Sequence, residues 1–158
     1  MILGLSTSTF TSVHVALSLI GIVSGVIVLH GMVRATRLDG WTALFLTTTV
    51  LTSVTAFFFP STSFGPAHAV GVLSLVVLAA ALVALYFFRL AGSWRWIYII
   101  GALLALYLYV FVAVVQAFQK LPPLAALAPT QSEPPFLIAQ LVVMAIFVVL
   151  GHRGGEAV

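Results

Sequence analysis

The sequence predicts an all-α integral membrane bundle of about five transmembrane helices, and three observations carry that reading. First, hydrophobic residues make up 63% of the 158-residue chain and charged residues only 6%. A soluble domain carries about 25% charged residues. A surface this poor in charge cannot be covered for water, so most of it must face lipid. Second, the apolar residues come in runs that approach or exceed the ~20 residues a membrane helix needs. The runs do not alternate in polarity, as the strands of a membrane barrel do. Third, the basic residues sort to one face once the chain is folded through five spans.

The first span is expected from about Ser12 to Val33, followed by Arg34, Arg37 and Asp39. The segment before it, Met1 to Phe10, has no Lys or Arg, so the first apolar run reads as a retained helix rather than a signal peptide. The second span runs from about Trp41 to Phe59 and is stopped by Pro60. A turn over Ser61 to Pro66 leads to the third, from about Ala67 to Phe88, which Arg89 and Gly92-Ser93 close. The fourth begins near Trp94 and ends near Phe118. The fifth is shorter, about Pro135 to Leu150, with Pro134-Pro135 at its first turn, where a missing N–H costs little. Gly151 to Val158 then reads as a short polar tail with no lipidation signature. The whole of residues 1–158 forms one transmembrane domain.

With five spans, Arg34, Arg37, Arg89, Arg95 and Arg153 share one face, and only Lys120 falls on the other. The positive-inside tendency makes the arginine face cytoplasmic, the C-terminus cytoplasmic and the N-terminus outside. Trp41, Trp94 and Trp96 fall at the same interface, where amphipathic rings settle. The expected home is the cytoplasmic (inner) membrane of a bacterium. The one long loop, residues 119–134, lies on the outer face; with Pro135 it contains five prolines. Its middle, Leu124 to Ala128, is apolar enough to lie on the membrane or dip into the bundle.

Composition also excludes. The chain has no cysteine, which removes disulfides, iron–sulfur clusters and thiolate metal sites. A net charge of +3 without a basic cluster gives nothing to neutralise a row of phosphates, so nucleic acid is not an expected partner. No G-x-S-x-G elbow, H-E-x-x-H pair or phosphate-binding glycine loop occurs, and the balance is against an enzyme. Every charge sits at a span end or in a loop, which speaks against an ion pump and leaves a small-solute carrier as the weakest reading.

The groups that could carry chemistry gather toward the outer face. His14 opens span one and His68 opens span three, so two imidazoles reach similar depth. His14 shares a helical face with Ser18, Gly21 and Gly25, and His68 with Gly71 and Leu75. Small residues beside a histidine leave room for a flat group or for a neighbouring helix. The sharp expectation is a metal held between them, haem b in its most specific form. Zinc or copper fits less well, because neither has a second histidine at i+3 or i+4. Gln116, Gln140 and Glu133 lie near the same depth and complete an expected outward pocket of His14, His68, Gln116, Glu133 and Gln140. The bland alternative has interfacial histidines bonded to nearby backbone or headgroups, glutamines that tie helices together and a solvated Glu133.

Other features point to packing. Thr48, Thr52 and Thr55 form a hydroxyl stripe on span two, and Gly21-x-x-x-Gly25 is a small-residue packing motif. Two function classes follow. One is a binding or redox module built on His14 and His68. The other is a structural or accessory subunit, in a homo-oligomer or a larger membrane complex, whose polar groups only hold helices together.

Overall fold

A computed structural model describes residues 1–157. They form an all-α membrane-type bundle: α1 (Thr7–Val33), α2 (Asp39–Ala56), α3 (Pro66–Leu82) running into a π-helical turn (Val83–Phe87), α4 (Trp94–Lys120), α5 (Pro122–Leu127) and α6 (Pro134–Ala157). No strand occurs among the described residues. α1, α3 with its π turn, α4 and α6 have the length and hydropathy to cross a bilayer.

α2 stands apart for a physical reason. Five of its seven buried residues are the hydroxyl side chains Thr42, Thr48, Thr49, Thr52 and Ser53. Those hydroxyls lower its hydropathy, yet they point inward, and Thr48, Thr49 and Thr52 bond to carbonyls within their own helix, as Thr49 does to Phe45 at 2.6 Å and Thr52 to Thr48 at 2.8 Å. A hydroxyl that bonds its own i−4 carbonyl satisfies itself without water. α2 is therefore polar in sequence and self-satisfied in place.

Neighbouring helices run antiparallel. His14 of α1 meets Thr55 of α2, the Cβ positions of Gly21 and Gly25 face Thr48 and Phe45, and Gly31 faces Leu38. Those pairs climb one helix as they descend the other. From His14 to Gly31 the seam is about 26 Å long at 1.5 Å per residue. α4 and α6 pair the same way, through Phe118–Phe136, Tyr107–Phe147 and a Gln140–Phe111 hydrogen bond. Gly101 of α4 abuts Ala81 of α3.

Helix ends extend further than the apolar runs suggest. α1 starts at Thr7 because the Ser6 hydroxyl accepts the Thr9 N–H at 3.1 Å, an N-cap that recruits a polar first turn. α6 continues through the glycines to Ala157 instead of stopping at Leu150, since Gly151 and Gly155 let it lie close against Leu103 and Trp96 of α4. The proline-rich connector is not extended chain. Residues Pro122–Leu127 form α5, and Ala128, 1% exposed, joins Phe118 and Phe136 in a small second core.

The main core gathers Val28 and Leu29 of α1, Phe45 and Leu46 of α2, Leu78 and Ala81 of α3, and Ala102, Ala105 and Leu106 of α4. Its tightest point is Gly25. A Cβ there would come within 2.6 Å of Leu106 Cδ1 and 2.9 Å of the Phe45 ring, itself only 1% exposed. Gly25→Ala should gain up to about 1 kcal/mol of helix propensity and lose about 1–3 kcal/mol to overpacking, because Leu106 can turn away but the enclosed Phe45 ring cannot. A net loss of stability is expected in unfolding from mixed micelles; an unchanged or higher midpoint contradicts the packing described.

Candidate functional site

At the histidine end, four of the five expected site residues have their own partners, Gln116 being the exception. His14 is half-buried on α1, with Nδ1 2.8 Å from the Thr55 hydroxyl of α2 and its ring edge-on to Phe59 at 5.1 Å. Thr55 in turn donates to the Thr52 carbonyl. With its one proton so engaged, Thr55 accepts from His14, which places the His14 proton on Nδ1. His68 is held differently. It is the third residue of α3, which begins with Pro66 after Gly65, and its Nδ1 accepts the Gly65 N–H at 3.3 Å. Its Nε2 then carries the proton and faces the Ser61 hydroxyl at 3.2 Å. Phe57 and Phe64 flank the ring at 5.7 and 5.5 Å. The imidazole thus serves as the cap of a helix that has no Ser, Thr, Asp or Asn in the capping position.

Glu133 is also spent locally. Its Oε1 accepts the Thr130 N–H and hydroxyl at 3.1 and 2.8 Å, and its Oε2 accepts the Ser132 N–H at 3.1 Å. Partial desolvation works to raise this carboxyl, but the hydrogen bonds from Thr130 and Ser132 outweigh it and hold the group below its ordinary value. Gln140 is buried between α6 and α4, where its Nε2 donates to the Phe111 carbonyl at 3.2 Å. Gln116 lies exposed on α4. Among the described residues, none of the five hydrogen-bonds another.

The glycines beside the histidines are occupied too. The Gly21 Cβ position lies 3.3 Å from the Thr48 hydroxyl, and that of Gly71 lies 3.2 Å from the Phe57 ring. Haem iron needs an unprotonated imidazole nitrogen whose in-plane lone pair is free, and room for the macrocycle beside it. His68 offers its only lone pair to the Gly65 N–H, and the space sequence assigns to a macrocycle holds helix α2. As arranged, these residues do not fit the group.

A cavity of about 300 Å³ opens at the opposite end of the bundle. None of the five expected residues lines it. Its walls are apolar, from Val28 and Met32 of α1, Leu85 and Leu90 after α3, and Ile99 of α4. Its polar groups are Thr36, Arg37, Asp39, Thr42, Tyr98 and Arg95. Arg37 and Asp39 pair with each other at 3.2 Å on the surface. Arg95 makes no such pair among the described residues, and its Nε is buried without a hydrogen-bond partner.

The turns that shape this cavity are unusual. Ala35, which closes α1, has φ +51°, and Arg89 and Leu90, which follow the π turn, have φ +50° and +60°. Non-glycine residues in this left-handed region cost roughly 1–2 kcal/mol each. The Leu90 N–H reaches back to the Ala84 carbonyl at 2.9 Å, and that bond fixes the Leu90 wall. A π turn of this kind often sits at a functional site. The sequence reading passed over the cavity because its lining comes from separate segments. One signal was available: Arg37 has Asp39 two residues away, whereas no acid lies near Arg95 in the chain.

No family model matches the chain, and no characterised protein or solved structure does either.

Gln140 gives a test of the packing at the histidine end. Its Oε1 is buried with no partner, so one hydrogen bond is offset by one orphaned acceptor. Interhelical hydrogen bonds in membranes average about 0.6 kcal/mol, and an unpartnered buried acceptor costs about 1–3 kcal/mol. Gln140→Met, which keeps the length and removes both, should leave the unfolding midpoint unchanged or raise it. A fall equivalent to more than about 1 kcal/mol shows that Oε1 has a partner.

Proposed function

We propose that this chain is a structural or accessory membrane subunit with no redox chemistry of its own, crossing the bilayer five times. The observation that supports it is the use of polar side chains at the histidine end: His14 ties α1 to α2, His68 caps α3, Glu133 closes the turn before α6, and Gln140 ties α6 to α4. Each is committed to architecture. Support for a partner comes from α6, which packs mainly along α4 and α1 and has only 6% of its apolar stretch buried. The rest of that surface is free for lipid or for another membrane subunit.

The fifth crossing rests on α2. It lies antiparallel beside α1 over about 26 Å, close to the ~30 Å hydrocarbon thickness of a bilayer. Five antiparallel passes set the termini on opposite sides, and the arginine bias then puts the N-terminus outside and the C-terminus in the cytoplasm. A bacterial cytoplasmic membrane is the setting in which we read it. The chain lacks cysteine, so single cysteines report cleanly. In intact cells an impermeant maleimide should label Ser63→Cys and Ser8→Cys but not Ser93→Cys. Labelling of Ser8→Cys and Ser93→Cys without Ser63→Cys means α2 does not cross.

The competing haem reading is tested by the absorption spectrum of the detergent-purified protein, expressed with ample haem and recorded before and after dithionite. A colourless protein is expected, with His14→Ala and His68→Ala altering only thermal stability. A Soret band that disappears in both variants overturns the accessory-subunit proposal and makes the two histidines ligands.

A further inference from the structure

We infer that the cavity at the arginine end is a binding site for an anionic phospholipid, its phosphate on Arg95 and the start of an acyl chain against Val28, Met32, Leu85 and Leu90. The inference does not depend on the accessory-subunit reading; it would hold for a carrier or a redox module equally.

Three features of the cavity lead there. The first is an unmet charge. A buried guanidinium nitrogen without a partner is costly, and the planar fork of arginine matches phosphate oxygens two at a time. Arg37, the other cation at the rim, is already paired with Asp39, so among the described residues Arg95 is the cation at the cavity without an ion-pair partner. The second is the wall chemistry. A free inorganic ion would be hydrated and would gain nothing from Val28, Met32, Leu85 and Leu90, whereas an amphiphile satisfies the arginine and fills the apolar space together. The third is depth. Arg95 lies in the first turn of α4 between Trp94 and Trp96, in the interfacial zone where lipid headgroups sit, and Trp94 is fixed by stacking on Phe88 at 3.8 Å. Basic pockets between membrane helices are suited to acidic headgroups. About 300 Å³ accommodates a phosphodiester and a few methylenes, with the rest of the lipid lying in the bilayer along the bundle.

The rim also fits the role. The left-handed Ala35 and Leu90 turns shape two of its walls, and Leu90 itself packs on the main core, which holds that wall in place. The walls are therefore in place before the lipid arrives, and Arg95 is the group that recognises charge.

The test uses the full chain, delipidated in a neutral maltoside detergent. Added phosphatidylglycerol should raise the unfolding midpoint and bind saturably, and phosphatidylcholine should bind at least tenfold more weakly. Arg95→Gln should weaken phosphatidylglycerol at least tenfold, while Arg153→Gln, which removes the same charge from an exposed site on α6, should leave it unchanged. Met32→Trp, which fills the cavity and keeps Arg95, guards against a folding defect in the arginine variant and should weaken binding at least fivefold. The inference falls if phosphatidylglycerol binds Arg95→Gln as tightly as the parent, or if Arg153→Gln weakens it as much as Arg95→Gln does. It falls equally if inorganic phosphate stabilises the protein as well as the lipid, since the apolar walls would then play no part.

Discussion

Everything in this bundle depends on how closely α1 can approach α2 and α4. Within a bilayer, apolar side chains gain little by leaving lipid for protein, so helices cohere through close van der Waals contact and interhelical hydrogen bonds. Gly21 and Gly25 supply the contact: their missing side chains are replaced by Thr48, Thr49, Phe45 and Leu106 from the facing helices. Tyr109 of α4 then donates to the Thr49 carbonyl at 2.6 Å and lies 3.2 Å from the Ser53 hydroxyl, holding α2 from its other side. Each contact is small. Together they fix α2, the most polar of the long helices, in the most enclosed position.

That placement divides the molecule into two unlike ends. At one, His14, His68, Glu133 and the hydroxyls of Thr48, Thr49 and Thr52 find partners within the chain, leaving none of them aimed at a shared space. At the other, α1 and the π turn after α3 end in left-handed turns, and α4 begins with an arginine whose Nε has no hydrogen-bond partner among the described residues. Open space and unmet hydrogen-bonding capacity coincide at the arginine end. Ligand recognition belongs where both are present.

Much of this was legible in the sequence, and the failures have common causes. Helical class and the long apolar segments follow from composition and run length, which need no partner to interpret. Segment ends were harder, because caps and close contacts decide them. Ser6 extends α1 into a polar turn, and Gly151 and Gly155 extend α6 by letting it lie on Leu103 and Trp96. The histidines show the sharper limit. Sequence placed His14 and His68 at similar depth beside small residues, and a small residue is equally a place for a ligand and a place for a helix. Only the register of α2, set by contacts far apart in the chain, decides that Thr48 and Phe57 fill those spaces. The cavity was invisible for the same reason, since its walls are contributed by segments between Val28 and Ala157.

The cost of the arginine end bears on what it is for. Three left-handed non-glycine residues at roughly 1–2 kcal/mol each, together with a buried unpartnered guanidinium nitrogen, amount to a sizeable share of the 5–15 kcal/mol that stabilises a typical domain. Such a concentration of strain persists only where the surrounding structure over-determines it, and it tends to cluster at ligand clamps. Here the surrounding structure is the α1–α2–α4 seam and its core of Phe45, Leu78 and Leu106, each at most 2% exposed. The seam is tight enough to hold the turns in conformations they would not adopt alone. An anion on Arg95 would pair a charge that has no ion-pair partner among the described residues while leaving the backbone strain in place. Occupancy would then stabilise the protein without requiring the helices to move.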